Sequence, residues 1–236
     1  MKVIQPNCRI QFTAQDIGFI ASVLSAKRAQ GDIITSLLTD AEMRDLILDD
    51  EALFRALLEQ RGCLTVSNHF YFYVLVRHVL RRSGIDDRDV ADYVAEVLAE
   101  FSHMERTRCI VPGRGPIDYV FEMLAALQTA DDRTSFSIRA YIGNYALFFC
   151  GVFAENIRFR AEFRGAPDLG YYEALGRSSF RMASDHRLAR KYDLAPIFNT
   201  LSEQFEPARR ALNDLSERIF FLGDPDLGLD ALLRRN

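Results

Sequence analysis

Glu100-x-x-His103, with Glu96 one turn earlier, places two carboxylates and an imidazole on one side of a helix. Donors at that spacing form half of the pattern by which helical bundles hold two metal ions; a second Glu-x-x-His and two further glutamates complete the set. The chain contains no second Glu-x-x-His. With its Glu and His content, about 0.2 such pairs arise by chance. Asp89, Asp92, Glu96 and Glu100 also fall opposite the apolar stripe Val90, Tyr93, Val94, Val97, Leu98 and Phe101. A core metal site needs ligands that point inward. The expectation is therefore a solvated acidic face with no metal and no cofactor, Glu96, Glu100 and His103 being the candidate ligands.

Arg181-Met182-Ala183-Ser184-Asp185-His186 fits an Arg-x4-His spacing. It resembles the catalytic pair of small helical ribonucleases of the HEPN type, which implies RNA cleavage by those two residues. His186 also continues a seam of Tyr172, Leu175, Ser179, Met182 and Ala189, which predicts a buried, hydrogen-bonded core histidine instead. His69 follows Ser67 and Asn68 at an aromatic helix start, where capping and packing account for the residue types. His78 has arginine neighbours and gains no role. Gly113-Arg114-Gly115 lacks the lysine and hydroxyl residue of a phosphate-binding loop.

These residues sit on a pattern that is helical throughout, with no strand alternation. Thr13-x-x-Asp16 reads as a capping box before a helix from Ile17 to Ala29, and Thr39-x-x-Glu42 as another before a helix to Leu48. Further helices follow from Glu51 to Gln60, Ser67 to Arg82, around Val90 to Phe101, and Ile117 to Leu127. Asp131, Asp132 and Thr134 mark a turn and a new cap. From Ser135 a long helix is expected to run to Phe163, apolar on all sides in its middle, with Gly143, Ala146, Cys150 and Ala154 as a seam for close packing. Another is expected from Tyr171 to Tyr192. Leu201, Phe205, Ala208, Leu212, Leu215, Ile219 and Leu222 then repeat at 4-3 spacing, a seam that packs within the chain or pairs two subunits.

The predicted architecture is one all-α domain over residues 1–236. About eight to ten helices surround the central apolar helix 135–163; residues 1–12 form an extended arm and 107–116 an internal loop. At 236 residues and 49% hydrophobic content the chain can bury a large core. Net charge is −4 and the isoelectric point about 5.6, without the basic balance of a general nucleic-acid binder. All but Lys2, Lys27 and Lys191 of its 29 basic residues are arginine, spread along the chain as a GC-rich bacterial genome produces. Cys8, Cys63, Cys109 and Cys150 are too far apart for a metal knuckle and predict a reducing, cytoplasmic setting. The longest apolar run, Ala140 to Ala154, is shorter than a membrane span.

Gly143-Asn144-Tyr145-Ala146-Leu147-Phe148, Gly151-x-Phe153, Tyr171-Tyr172 and Gly176 resemble a stretch of uncharacterised bacterial all-helical proteins of unknown function. The resemblance covers about residues 143–180 and implies a bacterial helical protein without supplying an activity. Three functions stay open: a non-catalytic protein acting through protein contacts, including a homodimer; a helical oxidoreductase or apolar-ligand carrier; and a HEPN-like ribonuclease.

Overall fold

Side chains that cap helix N-termini divide the chain. The computed structural model describes residues 3–25, 36–59, 66–108 and 116–222, of which 103–108, 116–119 and 220–222 are described by backbone alone. Asp40, Ser67, Asp131 and Asp168 each accept a hydrogen bond from the backbone N–H three residues on. The first of these shifts the expected cap at Thr39 by one residue. Twelve α-helices result among the described residues: α1 (Ala14–Ser25), α2 (Ala41–Leu48), α3 (Glu51–Glu59), α4 (Asn68–Arg82), α5 (Arg88–Arg108), α6 (Pro116–Leu127), α7 (Asp132–Val152), α8 (Ala154–Arg164), α9 (Leu169–Ser184), α10 (Arg187–Lys191), α11 (Ala195–Glu203) and α12 (Phe205–Leu222). No strand occurs among them, and the protein is all-α.

Every residue from 140 to 151 on α7 is buried. Helix α9 packs along one side of it and α12 along another, while α4 pairs with α5 and α11 with α9. Glycines permit the closest approaches. A Cβ on Gly176 would lie 2.4 Å from the Phe205 ring and 3.0 Å from Ala146; one on Gly143 would lie 2.8 Å from Phe180. The small-residue seam of α7 thus receives α9. Leu201, Phe205, Ala208, Leu212, Leu215 and Ile219 are all buried, with α12 set against α7 and α4.

Four expectations need correction. The helix expected over 135–163 is two helices, α7 and α8, meeting at 89° around Phe153. Its break comes from a distant capping group: Asn213 on α12 donates its amide to the carbonyls of Cys150 (3.0 Å) and Gly151 (2.7 Å). Those carbonyls would otherwise need the N–H groups of a continuing helix. The helix expected over 171–192 is likewise divided, at Asp185 and His186, into α9 and α10. The arm expected to be extended over 1–12 is not so throughout: Arg9–Gln11 form a 3₁₀ turn, and Ile4 and Cys8 are buried. Of the expected loop 107–116, Arg108 still belongs to α5 and Pro116 opens α6, while 109–115 lie outside the described residues. Among the described residues no single helix is long and apolar enough to cross a membrane.

Candidate functional site

The acidic face of α5 is solvated only at its ends, Asp89 and Glu100. Asp92 is 2% exposed and Glu96 is buried, because the N-terminal segment lies across them. Arg9 donates its backbone N–H (3.0 Å) and Nε–H (3.2 Å) to Asp92, one guanidinium nitrogen to Asp45 (3.2 Å) and the other to Asp89 (2.8 Å). Gln11 donates to Glu96 at 3.2 Å, and His69 Nε2 lies 3.5 Å from the same carboxylate. Burial pushes the carboxyls of Asp92 and Glu96 above their ordinary range, against the pull of Arg9 on the first and of His69 on the second. Glu100 is exposed, and the His103 side chain lies outside the described residues. Among the described residues no three His, Cys, Asp or Glu side chains are arranged to hold a metal ion. What Glu96 does is receive the N-terminal segment.

This pattern was illegible locally. Arg9 and Asp92 are 83 residues apart, and amphipathicity alone assigns an acidic stripe to water. The four-fold acidic track Asp89, Asp92, Glu96 and Glu100 was its one sequence signal, a surface on which a cationic segment can lie.

A second ionic group adjoins it. Arg77 is 2% exposed and bridges Asp49 (2.8 Å) and Asp86; Arg88 reaches the same Asp49 at 2.9 Å. These partners hold the Asp49 carboxyl below its ordinary range even though burial opposes them. His78 stacks on Phe54 with centroids 4.9 Å apart and the planes 8° from parallel, its Nδ1 3.2 Å from the Val74 carbonyl. Burial depresses its pKa, so the ring is neutral and Nδ1 donates that bond.

His186 is not the core histidine the α9 seam predicts, for Met182 on that seam is exposed and the helix ends before it. The imidazole caps α10: Nδ1 accepts from the Leu188 N–H at 3.1 Å, which assigns the ring hydrogen to Nε2, 2.9 Å from Asp132. Its face stacks on Phe136 at 5.0 Å. Arg181 extends elsewhere, to Asn199 and Glu203 on α11. Both imidazole nitrogens are engaged, and Arg181 makes its contacts on a different helix from the partner of His186. The pair is not assembled as an acid and a base around one scissile group.

The apolar interior of the described residues contains a small cavity. Phe72, Leu98, Phe148, Val152, Leu212 and Leu215 are among the walls of a cavity of about 20 Å³ between α4, α5, α7 and α12. Ser102 and Ser216 also border it, but each hydroxyl donates to a carbonyl of its own helix, so the walls present almost no polar group. Near it, α8 leaves the body with Phe159 51% and Phe163 66% exposed, their rings 4.9 Å apart. Gly113, Arg114 and Gly115 lie outside the described residues. Compared with family models, with curated proteins and with solved structures, the chain finds no match.

Proposed function

We propose that this is a bacterial cytoplasmic protein without catalytic activity, acting through contact with another protein chain, and that the α8 aromatic face makes the contact. The observation that carries the reading is the division of labour just described. The buried carboxylates and arginines are committed to caps and ion pairs, while α8 exposes two phenylalanine rings in contact with each other and flanked by charge. Aromatic and arginine side chains are the residue types that anchor protein interfaces.

The charges favour a second copy as the partner. Around α8, at 100° per residue, Glu155 and Glu162 flank the phenylalanines on one side, where Arg158 pairs with Glu155 and leaves Glu162 as the unmatched acid, and Arg160 and Arg164 flank them on the other. Two such helices related by a two-fold axis and running parallel set each acidic flank against the basic flank of the other. The Arg-rich composition and the resemblance over residues 143–180 support the bacterial assignment; the cysteine spacing supports the cytoplasmic one.

Light scattering across a concentration series tests this. The wild type should self-associate and Phe159→Ser/Phe163→Ser should remain monomeric with an unchanged melting temperature. A wild type that stays monomeric overturns the homodimer. A second reading, an apolar-ligand carrier, has the apolar lining of the cavity in its favour, although at about 20 Å³ the cavity would have to open to take a lipid; a co-purifying lipid found by native mass spectrometry would establish it.

A further inference from the structure

We infer that Asp45, Asp89, Asp92 and Tyr73 form a guanidinium-binding site, filled in this chain by its own Arg9, which takes a guanidinium-bearing ligand when Arg9 is removed. The contacts define the ligand class. Nε, the two terminal nitrogens and the backbone N–H of Arg9 meet three carboxylates on two helices, α2 and α5. A planar fork satisfies three separated acceptors at once, which the single ammonium of a lysine does not. The floor of the site is the ring of Tyr73 on α4, with the guanidinium carbon 5.7 Å from its centroid.

An independent feature points the same way. Tyr73 is fully buried, and its hydroxyl has no hydrogen-bond partner among the described residues. That hydroxyl lies within electrostatic reach of Arg9, Asp45 and Asp92. A buried unpartnered hydroxyl beside these carboxylates is a donor and acceptor left over when Arg9 is in place, and so a further polar group that a bound ligand can use.

The site is built by the body of the protein and not by the segment that fills it. Asp45 has a second cation in Arg88, whose Nε is 3.8 Å away. Asp92, 2% exposed, has Arg9 as the cation that pulls on it. Removing Arg9 leaves a buried carboxylate uncompensated, the condition that drives uptake of a replacement cation. In the intact chain the tethered Arg9 outcompetes a free ligand through its effective concentration. The segment 3–12 is thus a cis-bound strap, and an arginine offered by another chain fits the place it holds.

Arg9→Ala tests the inference with methylguanidinium as the probe and methylammonium, at equal ionic strength, as the control. The readouts are melting temperature and alkylation of Cys8, a thiol of the strap itself that is fully buried against the body and donates to the His69 carbonyl at 3.2 Å. Alkylation at Cys8, located by peptide mass spectrometry, should be about tenfold faster in Arg9→Ala than in the wild type. Methylguanidinium at about 10 mM should slow it again about threefold and raise the melting temperature, with methylammonium inert. The response should vanish in Arg9→Ala/Asp92→Asn. Equal effects of the two cations, no effect of either, or a response that survives Asp92→Asn overturns the site. If Arg9→Ala does not fold in buffer, recovery of folded protein by methylguanidinium alone supports the site, and equal recovery with methylammonium or none overturns it.

Discussion

The hydroxyl of Tyr93 donates to Oδ1 of Asn144 across 2.8 Å, joining α5 to α7 inside the core. Both residues are buried, and burial pushes the Tyr93 phenol above its ordinary pKa, so the proton stays on the oxygen. Asn144, the strongly polar residue in the apolar run of α7, therefore has an internal partner, as its place in the sequence requires. Tyr93→Phe leaves the Asn144 oxygen buried and unpaired and should cost about 1–3 kcal/mol. Tyr93→Phe/Asn144→Leu removes both partners and should cost less than the two single changes together. Urea unfolding of the four proteins gives the coupling; strictly additive losses would show that the bond contributes nothing.

Two glycines in helices should respond oppositely to alanine. At Gly176 the new methyl would meet the Phe205 ring of α12 at 2.4–2.5 Å and Ala146 of α7 at 3.0 Å, so the Phe205 ring would have to be displaced or α9 move away from both helices. Overpacking of that kind costs about 1–3 kcal/mol, more than alanine's helix propensity returns. Gly18 on α1 is exposed, and nothing lies within 4 Å of its added Cβ. Gly18→Ala should stabilise the protein by about 0.5–1 kcal/mol. A Gly176→Ala protein as stable as the wild type would mean that α7 and α9 do not interlock as described.

The contrast between Asp16 and Asp92 explains what the sequence discloses about this fold. Asp16 sits three residues after Thr13, and the structure places its carboxylate on the Thr13 N–H and hydroxyl, a relation legible from spacing alone. The same carboxylate also accepts from the Ser67 N–H and hydroxyl at 2.7 Å, which links α1 to the start of α4 and which no local pattern announces. Asp92 is of that second kind throughout. Its burial depends on Arg9, as the end of α7 depends on Asn213 from α12. Periodicity and caps report contacts within about one helical turn; side chains that arrive from remote segments decide which polar face is covered and where an apolar helix stops. Glu96 is buried for the same reason, under a segment that the helix pattern does not announce, while Glu100 on the same face is exposed as expected and the His103 side chain lies outside the described residues.

Acidification should remove two separate contributions to stability, that of His78 and that of the depressed carboxyls. The folded pKa of His78 is depressed, chiefly by burial, so below an unfolded value near 6.5 the unfolded chain binds the proton better. The His78 contribution is fully present above that pH and is lost as pH falls toward the folded pKa, by at most about 1.4 kcal/mol per unit. Asp49 and Glu51 are depressed carboxyls, held down by Arg77 and by Arg82, and their contributions are lost only as pH falls below about 4. Asp92 and Glu96, raised by burial, act in the opposite sense over this range, so the His78 step is read as a difference: from pH 7 to 5 the denaturant midpoint of the wild type should fall relative to that of His78→Leu. Parallel profiles for the two proteins would show that His78 makes no such contribution.

The bend between α7 and α8 should depend on one amide. Asn213 donates to the carbonyls of Cys150 and Gly151, and its own Oδ1 accepts from Arg209 at 2.6 Å. Arg209 is anchored in turn by Glu173 on α9, also at 2.6 Å. Asn213→Asp keeps the shape and the Arg209 contact but replaces the donating nitrogen with a carboxylate oxygen facing two carbonyl oxygens. If the amide is what ends α7, the aspartate variant should lose at least as much stability as Asn213→Ala, about 1–3 kcal/mol, despite its better size match. Hydrogen exchange should quicken first at residues 150–157, where the freed carbonyls lie, with α4 and α5 unaffected. Because α8 carries Phe159 and Phe163, the same variant should also weaken self-association if that face is the contact. An Asn213→Asp protein as stable as the wild type, with unchanged exchange at the bend, would show that the chain turns at Phe153 for another reason.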